Sequence, residues 1–370
     1  MKRLLWLSVL VLGAGALVAP LAASSSGAAT SRTAVVHSVT SKAPHAAKFL
    51  ACMVTDTGGI DDRSFNASSW QGVKEAESAT IAGKYLQSTT ESNYIPNINA
   101  FIAEKCGIIV TVGFLMGDDT QTAAQKNPSQ KFAIVDYTYS PAIKNIDALV
   151  FNTVQDGFLG GYLAAGMSKT HVVATFGGEK LPTVTIYMDG FWDGVQYYNK
   201  MNPKLPATKV IGWSEQTQNG SFTGDFTNQA NGEHLTETFI AEDADIIFPV
   251  AGNVGLGAAA AVKAADNSGA DVNMEWVDTD GCVSAPQYCK YFITSVTKGI
   301  QAAVKNAIVT TAAGKFVGGN YIGTLKNGGV ALSPYHTFAS KVPAALQHQL
   351  AAIKAGIENG TIPTPTKSPV

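Results

Sequence analysis

The densest local signal in the chain is Asp56-Thr-Gly-Gly-Ile-Asp-Asp-Arg-Ser-Phe-Asn66, which directly follows the apolar run Phe49-Leu-Ala-Cys-Met-Val54. Two glycines allow a sharp turn at a strand end, and Asp61, Asp62 and Ser64 are residue types that cap a following helix. Asp56, Phe65 and Asn66 then sit where a buried strand delivers its ligand contacts. A second aromatic, Phe222, lies in the polar stretch Gln218-Asn-Gly-Ser-Phe-Thr-Gly-Asp225, with little local apolar support. It is either a plug for its loop or a stacking plate. Two such plates around a flat heteroaromatic ligand gain roughly 0.5–1.5 kcal/mol per pair beyond area burial, which suits a nucleobase. Asp136 and Asp278-Thr-Asp280 end other apolar runs and offer acceptors for vicinal hydroxyls or ring N–H groups, and Lys298 offers a cation. Asp278 and Asp280 also have the spacing of a D-x-D metal site, but no further ligands stand near them in sequence.

Other chemistries lack their residues. There is no G-x-S-x-G, H-E-x-x-H or P-loop match, and the glycines of Gly252-Asn-Val-Gly-Leu-Gly257 are spaced differently from a dinucleotide fingerprint. Gly252 can still present backbone to a ligand at a helix start, or serve only close helix–strand packing. With 26 Lys+Arg against 28 Asp+Glu the net charge is 26 − 28 = −2, so no basic surface for nucleic acid is expected. A 46% hydrophobic content over 370 residues fills about two cores.

These residues need strands to carry them. Apolar runs at 49–54, 108–112, 131–135, 148–151, 171–176, 245–250 and 274–277 each end at or near Gly, Asp or Asn, and helical patterns separate most of them. Alternating strands and helices give parallel sheets covered on both faces, with ligands outside the carboxyl ends of the strands. The division expected is a signal peptide at 1–23, a flexible tail at 24–47, a first lobe at 48–153, a second at 154–292, a return to the first at 293–325, and a return to the second with an irregular tail at 326–370. The second crossing is placed near Phe292-Ile-Thr-Ser-Val296, before a helix over residues 298–309.

Lys2 and Arg3 precede an apolar core and a small-residue exit, the layout of a secretory signal peptide that is either cleaved or kept as an anchor. No cysteine precedes Cys52, so a lipidated cysteine after the apolar core is not expected. Export favours pairing of the four cysteines. Cys282 and Cys289, seven apart around Pro286, are the expected small-loop disulfide, which leaves Cys52 with Cys106; the alternative is two buried free thiols. Zinc is not expected, because the six histidines are scattered and no C-x-x-C occurs.

From about Lys48 to Val330 the chain resembles the basic membrane protein (Bmp) family of solute-binding proteins, whose PnrA type binds purine nucleosides for ABC transporters. The resemblance is carried by Thr55 to Asn66, Gly157-Phe-Leu-Gly-Gly-Tyr-Leu-Ala-Ala165, Gly190-Phe-Trp-Asp-Gly194, Gly220-Ser-Phe222, Ala251 to Gly257, Val277-Asp-Thr-Asp280 and Thr294-Ser-Val-Thr-Lys298. It implies a type I periplasmic-binding-protein fold, two Rossmann-like α/β lobes joined by a hinge and closing on ligand. It also implies a ligand set of Asp56, stacking plates Phe65 and Phe222, Asn66 beside the first plate, Asp136 on the base, Gly252 through its backbone, and Asp278 with Lys298 on ribose hydroxyls. Gly281-Cys282 follows the V-D-T-D motif where many members carry Gln, and Asp136 is followed by Tyr137-Thr-Tyr139.

The function so implied is an exported protein, in the periplasm or at the cell surface, that takes a nucleoside to an ABC permease. It would work as a monomer, without catalysis, cofactor or nucleic acid. Two other classes compete: a sensory ligand-binding domain on an uncut anchor, and a nucleoside hydrolase that would need several carboxylates converging on one ion.

Overall fold

Runs of Ile, Val, Phe and Ala that are apolar on both faces become the inner strands of two parallel sheets. The computed structural model describes residues 48–368; the expected signal peptide at 1–23 and flexible tail at 24–47 lie outside the described residues. The first lobe runs β1 (Phe49–Val54), α1 (Phe65–Ala76), β2 (Ile81–Leu86), α2 (Tyr94–Ala103), β3 (Ile108–Val112), α3 (Gly117–Lys126), β4 (Phe132–Val135) and β5 (Ile146–Phe151). Then α4 (Val154–Met167) leads into β6 (Val172–Gly177), α5 (Pro182–Met201), β7 (Lys209–Ile211) and a small hairpin of β8 (Trp213–Ser214) and β9 (Asn219–Gly220). The second lobe continues with α6 (Gln229–Ala241), β10 (Ile246–Val250), α7 (Val254–Asn267), β11 (Asn273–Asp278), α8 (Gly281–Ser284) and β12 (Phe292–Lys298). Last come α9 (Ile300–Ala312), β13 (Gly319–Gly323), β14 (Val330–Leu332) and α10 (Ala344–Glu358).

The strand order is β13-β5-β4-β3-β1-β2 in the first sheet and β14-β12-β11-β10-β6-β7 in the second. Every pairing in them is parallel except β12 with β14. The chain therefore crosses between the sheets three times. The second crossing falls after Lys298, not near Phe292. The run expected to leave the second lobe is its strand β12, held between β11 and β14, and the helix that follows starts at Ile300. That helix, α9, packs on α1 of the first lobe so closely that a Cβ at Gly72 would stand 2.5 Å from the Gln301 carbonyl.

α4 and α5 also pack backbone against backbone. A Cβ at Gly161 would lie 1.9 Å from the Phe191 carbonyl and one at Gly194 2.0 Å from that of Phe158. Only glycine permits this approach, which accounts for Gly157 and Gly161 on α4 and Gly190 and Gly194 on α5, whereas Gly160 faces Glu275 of the sheet. Disulfides join Cys52 to Cys106 and Cys282 to Cys289.

Candidate functional site

The carboxyl ends of both sheets face one cleft. Its empty space, counting the mouth open to solvent, is about 650 Å³. The first lobe contributes Asp56 after β1, Phe65 and Asn66 at the start of α1, Phe114 after β3 and Asp136 after β4. The second contributes Thr183, Val184 and Tyr187 from the first turns of α5, Phe226, Gly252 after β10, and Asp278 and Lys298 at the ends of β11 and β12. Asp136, Gly252 and Asp278 have φ of 68°, 53° and 66°. Two non-glycine residues in the left-handed region at strand ends are strained positions of the kind that functional sites retain.

At the cleft floor Lys298 is almost fully buried, with its Nζ 2.5 Å from Asp136 Oδ2 and 3.6 Å from Asp278 Oδ1. The rings of Phe65 and Tyr187 each lie 5.2 Å from that ammonium. Burial pushes the Lys298 pKa down, but the Asp136 and Asp278 carboxylates outweigh it and hold the ammonium above its ordinary value. Tyr187 donates its hydroxyl to Asp278 Oδ1 at 3.2 Å. Asp136 thus belongs to the same charged cluster as Asp278 and Lys298.

At the first strand end Asn66 Nδ2 donates to Asp56 Oδ1 at 2.7 Å and the Gly58 N–H donates to the same oxygen at 2.9 Å. Burial nevertheless raises the Asp56 pKa to about 7, so this carboxyl changes charge near neutrality. The three expected capping residues separate. Asp62 is the cap, accepting from the N–H groups of Ser64, Asn66 and Ala67 at 3.0, 2.7 and 3.0 Å, while burial lifts it to about 6. Asp61 is exposed. Ser64 makes no cap; its hydroxyl crosses the cleft to donate to Asp278 Oδ2 at 2.7 Å.

Of the expected ligand residues, Asp56, Phe65, Asn66, Asp136, Gly252, Asp278 and Lys298 line the cleft, and Phe222 does not. Phe222 pairs through its backbone with Gly177, and its ring meets Trp213 edge-on at 5.9 Å and 87°. That bridge aims the ring into the second lobe. Phe226, four residues on, takes the cleft position, seated over Gly178, where a Cβ would come within 2.4 Å of its ring. Phe114, Thr183, Val184, Tyr187 and Phe226 are site residues that sequence reasoning missed; the only hint of Phe226 was a second Phe in the same glycine-rich loop. Asp280 points away from the cleft, capping α8 and bonding His336 Nε2 at 2.7 Å, so the D-x-D pair diverges. Asp280, His336 and Cys282 do gather, but the Cys282 sulfur is bonded to Cys289.

The sequence model of the family described as "ABC transporter substrate-binding protein PnrA-like" matches residues 49–369. The chain belongs to this family. Its members are extracytoplasmic or surface-exposed substrate-binding proteins and not a family of enzymes. No helix among the described residues is long and apolar enough to cross a membrane. The chain is 27% identical over 332 residues to the ABC transporter nucleoside-binding protein BmpA of Lactococcus lactis, covering 86% of this chain and 89% of that one. It is 30% identical over 335 residues to the CD4+ T-cell-stimulating antigen of Listeria innocua, covering 86% and 88%. Its fold matches the crystal structure of an ABC transporter solute-binding protein from Aeropyrum pernix with a TM-score of 0.76 at 22% identity, covering 86% and 94%.

Proposed function

We propose that the protein captures a purine nucleoside between its lobes and hands it, chemically unchanged, to an ABC transporter permease. The observation that carries this reading is the pairing of two aromatic rings from opposite lobes, Phe65 and Phe226, with the buried Asp136–Lys298–Asp278 cluster. The rings stack on a base from either side. The carboxylates accept from ribose hydroxyls while Lys298 donates to their oxygens, and Asp56, when ionised, accepts an N–H from the base edge. The nucleoside-binding relative in Lactococcus lactis supports the same ligand class.

Such a site discriminates without catalysis, because a ligand that leaves buried partners unpaired loses about 1–3 kcal/mol for each. Closure is built in. Ser64 to Asp278 and Lys298 to Asp136 both join the lobes, so opening breaks two bonds and a ligand that replaces them stabilises the closed form. A hydrolase would need carboxylates converging on one ion, whereas Asp278 is engaged with Ser64, Tyr187 and Lys298 and Asp280 faces elsewhere.

The test is chromatography of inosine and guanosine after prolonged incubation with stoichiometric protein. Bound nucleoside recovered intact supports capture, and appearance of free hypoxanthine or guanine overturns it in favour of hydrolysis.

A further inference from the structure

Two walls of the second lobe meet the ligand space: the first turns of α5, with Thr183, Val184 and Tyr187, and the loop that follows β9 and ends in Phe226. One buried carboxylate ties both walls to a third segment far away in sequence. Asp189, fully buried on α5, accepts at Oδ1 from Trp213 Nε1 at 3.0 Å and from Gln218 Nε2 at 2.8 Å, both in the hairpin before the aromatic loop. At Oδ2 it accepts from Thr366 Oγ1 at 2.7 Å and from the Lys367 N–H at 3.2 Å. The same segment makes two more attachments. Ser368 Oγ lies 2.6 Å from Thr185 Oγ1 in the first turn of α5, and Lys367 Nζ donates to the carbonyls of Glu215 and Gln216 at 3.1 and 2.8 Å.

We propose that residues 366–368 form a strap that positions the aromatic loop of the ligand cleft, so that Thr366, Lys367 and Ser368 set ligand affinity without touching ligand. The mechanical path is continuous. The strap satisfies one oxygen of Asp189, and the other oxygen holds Trp213 and Gln218. Trp213 packs edge-on against Phe222, which is bridged to Gly177, and Phe226 follows four residues later over the cleft. A buried carboxylate that loses half its donors carries a desolvation penalty that moving the helix or the hairpin relieves, so loosening the strap loosens the loop. The composition of the Pro/Thr-rich tail gave no sign of this role, because the partner that orders it lies 177 residues away.

The effect on affinity rests on the nucleoside reading; the ordering of the loop does not. The experiment compares the wild type with T366V/S368A, T366S and K367A, measuring hydrogen–deuterium exchange by mass spectrometry and guanosine affinity by calorimetry. We expect T366V/S368A to speed exchange in residues 213–226 by about tenfold and to weaken guanosine binding by about tenfold, the loss of one charge-assisted hydrogen bond. T366S keeps the hydroxyl and should match the wild type, and K367A, which removes only surface contacts, should shift both readouts in the same direction by less. Unchanged exchange at 213–226, exchange raised equally across both lobes, or faster loop exchange with unaltered affinity would each overturn the proposal. If the wild type binds no guanosine, the nucleoside reading fails on its own account and the exchange data alone decide whether the strap orders the loop.

Discussion

Glu275 allows a worked test of the second lobe's interior. It lies on β11, fully buried, with neither carboxyl oxygen hydrogen-bonded, beneath Gly160 of α4, where a Cβ would stand 2.6 Å from Oε2. Burial raises its pKa from the usual 4.5 to about 8, so it is a neutral acid at pH 7. A carboxyl whose folded pKa exceeds its unfolded pKa leaves stability intact below the unfolded value and erodes it as pH rises from 4.5 towards 8, because the unfolded chain releases the proton first. With these values the cost of holding the proton is about 1 kcal/mol at pH 5 and about 3 kcal/mol at pH 7. Glu275→Gln has the same shape and does not titrate. Urea unfolding of the variant and wild type at both pH values should therefore show the variant's relative stability higher by about 2 kcal/mol at pH 7 than at pH 5. Any constant cost of the amide cancels in that difference. An equal effect of the substitution at pH 5 and pH 7 would mean that Glu275 ionises normally and that the interior here is wetter than the packing implies.

Four other outcomes follow from the site. Phe226→Ala should weaken nucleoside affinity roughly 5- to 150-fold, the ~1–3 kcal/mol of one base–aromatic stack, with little change in urea midpoint. Phe222→Ala should instead destabilise the fold towards the lower end of the ~3–5 kcal/mol of a buried Phe, since its ring packs on Trp213 and only part of it is covered. With Asp56 near pKa 7 and binding to the ionised form, affinity should fall about tenfold from pH 8 to pH 6; the same profile in Asp56→Asn would assign that dependence elsewhere. Lys298→Met leaves two buried carboxylates facing each other and should cost about 3–5 kcal/mol in unfolding free energy, and adding Asp136→Asn should recover part of it; no recovery would show that the pair is not coupled.

The polar residue that ends an apolar strand was readable locally, and Asp56, Asp136 and Asp278 were found that way, whereas Lys298 was picked out only as a cation and ends a strand that was read as a crossing. The inner strands were visible for the same reason, being buried on both faces. The edge strands β2 (IAGKYL), β7 (KVI) and β13 (GNYIG) mix buried, partly buried and exposed residues and present no apolar run. Phe226 was missed in favour of Phe222 because the choice depends on which residue of the loop bridges Gly177, a contact 45 residues distant. Ser64 looked like a helix cap because its spacing fits one, and only closure brings Asp278, 214 residues on, to its hydroxyl. The late second crossing has a similar origin, since the register of β12 with β14 is set by a strand that the hydrophobic pattern did not reveal.

The central claim is that this cleft holds a purine nucleoside. Its most direct test is isothermal titration calorimetry of the exported chain, stripped of co-purified ligand by unfolding and refolding, against guanosine, adenosine, inosine, cytidine and ribose. The account predicts tight one-to-one binding of at least one purine nucleoside, weaker binding of cytidine, and none of ribose, because the sugar alone fills neither aromatic plate. Binding of ribose as tight as that of the nucleosides, or no heat with any of the five, would contradict it.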